Sequence, residues 1–207
     1  MNGVRVIENL VYQENMGNAG MLDLYLPEGA GCRDFLIYFH GGGIEGGDKG
    51  DNRGVFLELA GAKIAVASAN YRMYPEAKYP DFVVDAARAV AFCLSHGKEH
   101  ISFERVFVGG ISAGAYLSMM LHFAPRFLAE CGVQEETIAG YLFDAGQPTV
   151  HYNILRERGM DTRAVRVDEA APLYYLEQER PVNGKQRYLF LITDNDMVGR
   201  KEQNELL

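Results

Sequence analysis

Hydrophobic positions along this chain fall into two patterns, short continuous runs and longer stretches with a helical period. Residues 35–39 (FLIYF), 63–69 (KIAVASA), 138–143 (IAGYLF) and 186–193 (QRYLFLIT) are runs of the kind that a strand buried on both faces requires. Residues 104–108 (ERVFV) alternate and then turn apolar, which predicts another short buried strand. Residues 4–12 and 21–26 have mixed faces and read as strands separated by the turn Met16-Gly17-Asn18-Ala19-Gly20. Three helices are predicted between the runs. Residues 51–61 are briefly amphipathic, and residues 81–95 align Val84, Ala87, Val90, Ala91 and Leu94 on one face. Residues 113–123 are rich in Ala, Leu and Met, and a further helix starts at residue 198. Residues 27–33 and the proline-bearing stretch 70–79 read as loops.

Strands alternating with helices predict an α/β fold, a mostly parallel sheet with helices on both faces. Ligands of such sheets bind beyond the carboxyl ends of the strands, and His40, Ser112, Asp144 and Asp196 all follow such ends. Residues 144–185 are mixed and poorly periodic, with Pro148, Pro172 and Pro181. They predict an insertion over one end of the sheet. The expected organisation is one domain over residues 1–207, with 147–185 as a lid-like insertion.

Composition narrows the function classes. A net charge of −8 argues against nucleic acid as a partner, because a phosphate backbone demands a basic surface. Cys32, Cys93 and Cys131 are scattered and odd in number, so neither a disulfide framework nor a zinc site is expected. No apolar run is long enough to span a membrane and the first residues do not resemble a signal peptide, so a cytoplasmic location is expected. Neither a cofactor nor a metal is expected.

The chemistry concentrates at two glycine-rich joins. Gly110-Ile111-Ser112-Ala113-Gly114 fits G-x-S-x-G and stands between a predicted strand and a predicted helix. A sharp turn there strains the serine backbone and lifts its hydroxyl above the sheet, while the glycines leave room for neighbouring backbone. The amide of Ala113 then faces a developing oxyanion at a helix N-terminus. The second join, His40-Gly41-Gly42-Gly43, follows the buried run 35–39 and lets backbone amides approach a ligand. A phosphate cradle is the competing reading. It needs a Gly-Lys-Ser/Thr sequence or a GxGxxG with a downstream acid, and neither is present.

With both joins in place, the sequence resembles the HGGG-bearing esterases of the α/β-hydrolase superfamily, those related to hormone-sensitive lipase and to bacterial acetyl and carbohydrate esterases. The stretches that carry the likeness are LDLYLPEG, FLIYFHGGGIEGGDKG, ASANYRMYPEAKYPDFVVDAARAV and VFVGGISAGAYLSMML, with a weaker match at LFLITDNDMV. The resemblance implies Ser112 as nucleophile, with Gly42, Gly43 and Ala113 donating amides to the oxyanion. It implies a structural His40 beneath the loop, and Asn70-Tyr71-Arg72 with Pro75-Glu76 holding the loop beside the site. The triad acid aligns at Asp196, where Thr193 replaces a glycine common in the family. Asp194 and then Asp144 are the alternatives. The implied partner is a small-molecule ester with a short acyl group and a neutral or polar alcohol, such as an acetylated sugar. Specificity is expected to lie in residues 147–185.

The general base is the missing piece. In this fold the order is serine, acid, histidine, and no histidine follows Asp196. His96 and His100 follow a helix on the far side of the sheet, and His122 lies down the helix after Ser112. Only His151, in the insertion, is placed to approach the site, either lining the pocket or as a substitute base. Three readings follow. The first, which is the expectation, is a serine esterase fragment that lacks the final strand and the loop bearing its base. The second is a non-catalytic homologue that binds a small molecule or partner. The third is an arylformamidase-like or peptidase-like hydrolase of the same fold.

Overall fold

The computed structural model describes residues 3–29, 31–176 and 185–207. The strands are β1 (Val4–Val11), β2 (Met21–Pro27), β3 (Asp34–Phe39), β4 (Ile64–Ala69), β5 (Arg105–Ile111), β6 (Ile138–Asp144) and β7 (Arg187–Leu191). They form one seven-stranded sheet in the order β1-β2-β4-β3-β5-β6-β7. β1 and β2 pair antiparallel, and β2 runs antiparallel to β4. From β4 to β7 every pairing is parallel. The mostly parallel α/β sheet expected from the hydrophobic runs is therefore present.

The helices are α1 (Arg53–Gly61), α2 (Asp81–His96), α3 (Ala113–Phe123), α4 (Arg126–Glu130), α5 (Tyr152–Glu157) and α6 (Arg200–Asn204). Alternation along β3 sorts the core into two layers. Phe35, Ile37 and Phe39 join the main cluster with α2, α3 and α4, whereas Leu36 and Tyr38 meet Phe56 and Ala60 of α1 on the other face. Each large side chain so buried contributes about 1.5–3 kcal/mol of transfer free energy.

Helix α3 is buried at all eleven positions. A helix with no polar stripe needs cover on its outer side as well. The segment after β6 supplies it: Val150, Ile154, Leu155, Ala170, Ala171 and Tyr175 are core residues, and the Tyr116 hydroxyl donates to Ala170 O at 2.8 Å. The expected lid-like stretch thus contributes a second layer to the core through these residues. Residues 177–184 of that stretch, including Pro181, lie outside the described residues.

Two helices, α4 and α5, were not expected from the periodicity, because each is barely more than one turn long. The last helix is shorter than its pattern predicts. It is tied to the segment after β6, with Asn204 Nδ2 donating to Gly146 O at 2.8 Å and Thr149 Oγ1 donating to Gln203 Oε1 at 2.9 Å.

The loop after β4 is held by one buried carboxylate. Asp85 of α2 is fully buried and accepts from Arg72 Nε and Nη2, both at 2.8 Å, and from the Arg72 amide at 3.1 Å. Removing Arg72 leaves that buried charge with only the partly exposed Arg88 guanidinium, at 3.5 Å, to compensate it. Arg72→Met is expected to destabilise the protein by about 3–5 kcal/mol. Asp85→Asn, which keeps shape and removes the charge, should cost less. Urea unfolding of the two variants checks the order, and equal costs would show that the buried charge is not the determining factor.

Candidate active site

Strand register brings the candidate residues to one edge. Phe39 pairs with Gly110, Ile111 with Asp144, and Asp144 with Leu191. His40, Ser112 and the residues after β6 and β7 therefore leave the sheet side by side. The Ser112 amide donates to Asp144 O at 2.7 Å, and the Ala145 amide to Leu191 O at 2.9 Å, which ties the three strand ends together.

Ser112 has φ 53° and ψ −111°, a conformation that L-residues rarely adopt. Neighbouring backbone enforces it. A Cβ on Gly110 would lie 2.5 Å from Phe39 O, and one on Gly114 would lie 2.0 Å from the same oxygen. Only glycine lets α3 start this close to the end of β3. The Ser112 residue is partly exposed at the helix N-terminus, where the first amides, including that of Ala113, have no acceptor within the helix.

The glycine loop is fixed through its carbonyls. Gly41 O lies 2.7 Å from His40 Nδ1, Gly42 O accepts from the amides of Glu45 (3.1 Å) and Gly46 (3.0 Å), and Gly43 O accepts from Asn153 Nδ2 (2.9 Å). In a trans peptide the next N–H points opposite to the carbonyl, so the Gly42 and Gly43 N–H groups are aimed away from these partners. The loop also lies against the elbow: a Cβ on Gly41 would stand 3.5 Å from Ser112 Cβ.

His40 is buried and stacks on Tyr71 with ring centroids 4.5 Å apart, and the Tyr71 hydroxyl donates to His40 O at 2.9 Å. Burial pushes its pKa below the ordinary histidine value, so the imidazole is a neutral prop for the loop.

The candidate acids separate clearly. Asp194 is on the surface and pairs with Lys201, which lowers its pKa. Asp196 turns inward, accepts from the Met197 amide at 2.6 Å, and lies 3.5 Å from Arg200 Nη1. Asp144 is held above the ordinary carboxylate range by burial and then by the charge of Asp196. Arg200, which the sequence patterns did not single out, is buried and also reaches Ala145 O at 3.4 Å.

His151 is fully buried as the N-cap of α5, where its Nδ1 accepts from the Asn153 amide at 3.2 Å. Its ring lies against Tyr152 and Tyr116, at 4.5 and 5.3 Å between centroids. Burial, with Arg200 adding to it, lowers its pKa to about 3. The structure records no bond from this imidazole to Ser112. His96 is exposed and stacks on Phe92, and His122 pairs with Glu135 at 3.2 Å within an aromatic cluster. Neither is at the elbow.

A cavity of about 480 Å³ adjoins this constellation, lined by Gln147, Tyr152, Thr162, Met197, Arg200 and Gln203 among others. Tyr152 and Asn153 also escaped the sequence patterns. A Cβ on Gly43 would fall 1.8 Å from the Tyr152 hydroxyl, so α5 meets the glycine loop directly.

Comparison with known proteins follows the same outline. Residues 36–153 match a family model described as alpha/beta hydrolase fold. The chain is 36% identical over 100 residues to the carboxylic ester hydrolase LipN of Mycobacterium tuberculosis, an alignment covering 47% of this chain and 27% of that protein. It thus spans about a quarter of the length of that relative. Among solved structures, esterase B of Lactobacillus rhamnosis superposes with a TM-score of 0.77 at 18% identity, covering 98% of this chain and 69% of the other. A truncated carbohydrate esterase from gut microbiota superposes with a TM-score of 0.76 at 15% identity, covering 98% and 82%.

The His151 environment predicts an acid-side loss of stability. Its folded pKa lies below its unfolded value near 6.5, so the unfolded chain binds the proton first. The contribution is complete above pH 6.5 and is lost as pH falls towards 3. His151→Asn, a neutral N-cap, should reduce the stability lost between pH 7 and pH 4 by roughly 3 kcal/mol, read from urea midpoints. Equal losses in both proteins would show that this imidazole is solvated.

Proposed function

The chain belongs to the α/β-hydrolase fold family, and from that premise we propose that it is a serine carboxylic ester hydrolase acting on short acyl esters. The observation that carries the reading is the elbow geometry, a partly exposed serine in a strained turn beside a glycine loop whose carbonyls are all engaged elsewhere. Ser112 Oγ attacks the acyl carbon. The carbonyl oxygen gains negative charge and takes hydrogen bonds from the amides of Gly42, Gly43 and Ala113. The base that takes the serine proton returns it to the departing alcohol as this intermediate collapses to an acyl-serine, which water hydrolyses by the same route. Asp196 is the acid of this reading. It is inward and neighbours the elbow strands, whereas Asp194 is committed to a surface pair.

The serine proton needs an acceptor, and no histidine follows Asp196 in this sequence. Imidazole in the buffer is therefore the natural probe of the elbow. A fluorophosphonate should label Ser112, added imidazole should accelerate the labelling, and Ser112→Ala should abolish it with little change in stability. Peptide mapping that places the adduct on another serine would overturn the assignment.

The cavity lined by Tyr152 and Arg200 supports a reading of the substrate class. Its wall is largely apolar, with Ala164, Val165, Met197 and Val198, and carries Gln147, Thr162 and Gln203 as hydrogen-bonding groups, which suits a short acyl ester of a polar alcohol such as an acetylated sugar; the likeness to a carbohydrate esterase supports that choice. Turnover of nitrophenyl esters, measured with imidazole present, should fall steeply as the acyl chain lengthens. A flat or rising profile would favour a lipase-like pocket.

A second reading, a small-molecule binder of the same fold, draws on the pairing of Asp196 with Arg200. Absence of any Ser112 labelling, alongside tight binding of an acetylated sugar, would favour it.

A further inference from the structure

The glycine loop holds one backbone feature that its glycines do not explain. Ile44, directly after Gly43, has φ +62° and is fully buried. A β-branched residue in the left-handed region is an outlier, since its side chain crowds its own backbone there. One rotation relieves the crowding. The Gly43–Ile44 peptide can rotate as a plane about its two flanking bonds, taking Ile44 to a φ of about −120°, within the region open to isoleucine. Gly43, at φ +67°, presents no side chain to oppose that rotation.

Opposition comes from α5. Rotation would carry the Gly43 carbonyl away from Asn153 Nδ2, which donates to it at 2.9 Å. Asn153 is buried, so the amide would lose its acceptor with no water to replace it. Its own position is set by the backbone, because the Asn153 amide donates to His151 Nδ1 at the start of the helix. The Tyr152 hydroxyl presses on Gly43 from the same turn. Beyond the strained residue, Ile44 O accepts from the Tyr74 amide at 2.8 Å, so only the peptide between these anchors is free to turn.

We propose that Asn153 is a positioning residue that clamps the Gly43–Ile44 peptide against its relaxed orientation and thereby fixes the glycine loop. The clamp itself is a statement about conformation. Its consequence for chemistry rests on the reading of Gly42 and Gly43 as oxyanion donors. With the peptide flipped, the Gly43 carbonyl points to the side that the Ile44 N–H now faces and sets a partial negative charge against any oxyanion there, while the Gly43 N–H keeps its aim because the preceding peptide is held through Gly42 O. The segment after β6 would then set two properties at once, the wall of the cavity and the geometry of the loop.

The test separates conformation from chemistry. NMR on the 207-residue chain reads the intraresidue Hα–HN cross-peak of Ile44, which is strong at positive φ and weak at negative φ. In Asn153→Ala and in the isosteric Asn153→Asp, which lacks the donor, that cross-peak should fall severalfold while the cross-peaks of α5 persist. Ser112 phosphonylation, measured with imidazole present, should slow about tenfold or more in both variants. An unchanged Ile44 cross-peak in both variants overturns the clamp whatever the labelling does. Loss of the folded state in both also overturns it, because a positioning residue leaves the core intact. A weakened cross-peak with unaltered labelling upholds the clamp and shows that the flipped Gly43 carbonyl does not oppose the oxyanion.

Discussion

The closeness of α3 to the end of β3 is the constraint on which the rest of the molecule depends. With Phe39 O only 2.0 Å from where a Cβ of Gly114 would stand, the helix can start at this point only as glycine. That approach forces the turn at Ser112, and the turn puts its hydroxyl beyond the sheet with the first amides of α3 beside it. It also draws the helix so far into the protein that all of its residues are buried. The outer layer formed by residues 150–155 and 170–175 is a consequence, since an apolar helix cannot be left facing water.

Polar groups do the complementary task of holding the loops that glycines leave loose. Lys49, buried, pairs with Asp23 at 3.2 Å and donates its amide to Asn70 Oδ1 at 2.6 Å. Asp48 is only partly buried, and although burial opposes its ionisation, hydrogen bonds from Asn70, Gly50 and Asn18 lower its pKa to about 2. These contacts anchor the stretch after the glycine loop to β2 and β4. Arg72 and Asp85 do the same for the loop after β4, whose Tyr71 supports His40. These contacts pair buried groups that would be costly to leave alone, although His40 Nε2, His151 Nε2 and Asn153 Oδ1 are buried without a hydrogen-bond partner.

The segment after β6 links these two kinds of order. Val150, Ile154 and Leu155 pack into the core, and between them Tyr152 meets the glycine loop and lines the cavity while Asn153 holds Gly43 O. His151 illustrates how burial decides a role. An imidazole in the segment over the site invites a catalytic reading, but this one is fully buried, caps α5 through Nδ1 and has its pKa lowered by burial.

The chain's own pattern determined the α/β class, the alternating parallel strands, and the two joins that carry Ser112 and the glycines. These are local signals: a buried strand reads as an apolar run, and a turn forced by close packing reads as glycine at fixed spacing. Helices α4 and α5 escaped because one or two turns give no measurable period. Tertiary structure alone sets Asp196 and Asp194 apart, although they lie two residues apart in the same loop. Their difference is direction, one inward to Arg200 and one outward to Lys201, and direction depends on how the chain folds back on the segment after β6. It also decided the place of Asn153, 110 residues from the carbonyl it holds. No residue-type or spacing rule links positions so distant, because their meeting is set by the packing of α5 and not by any local preference.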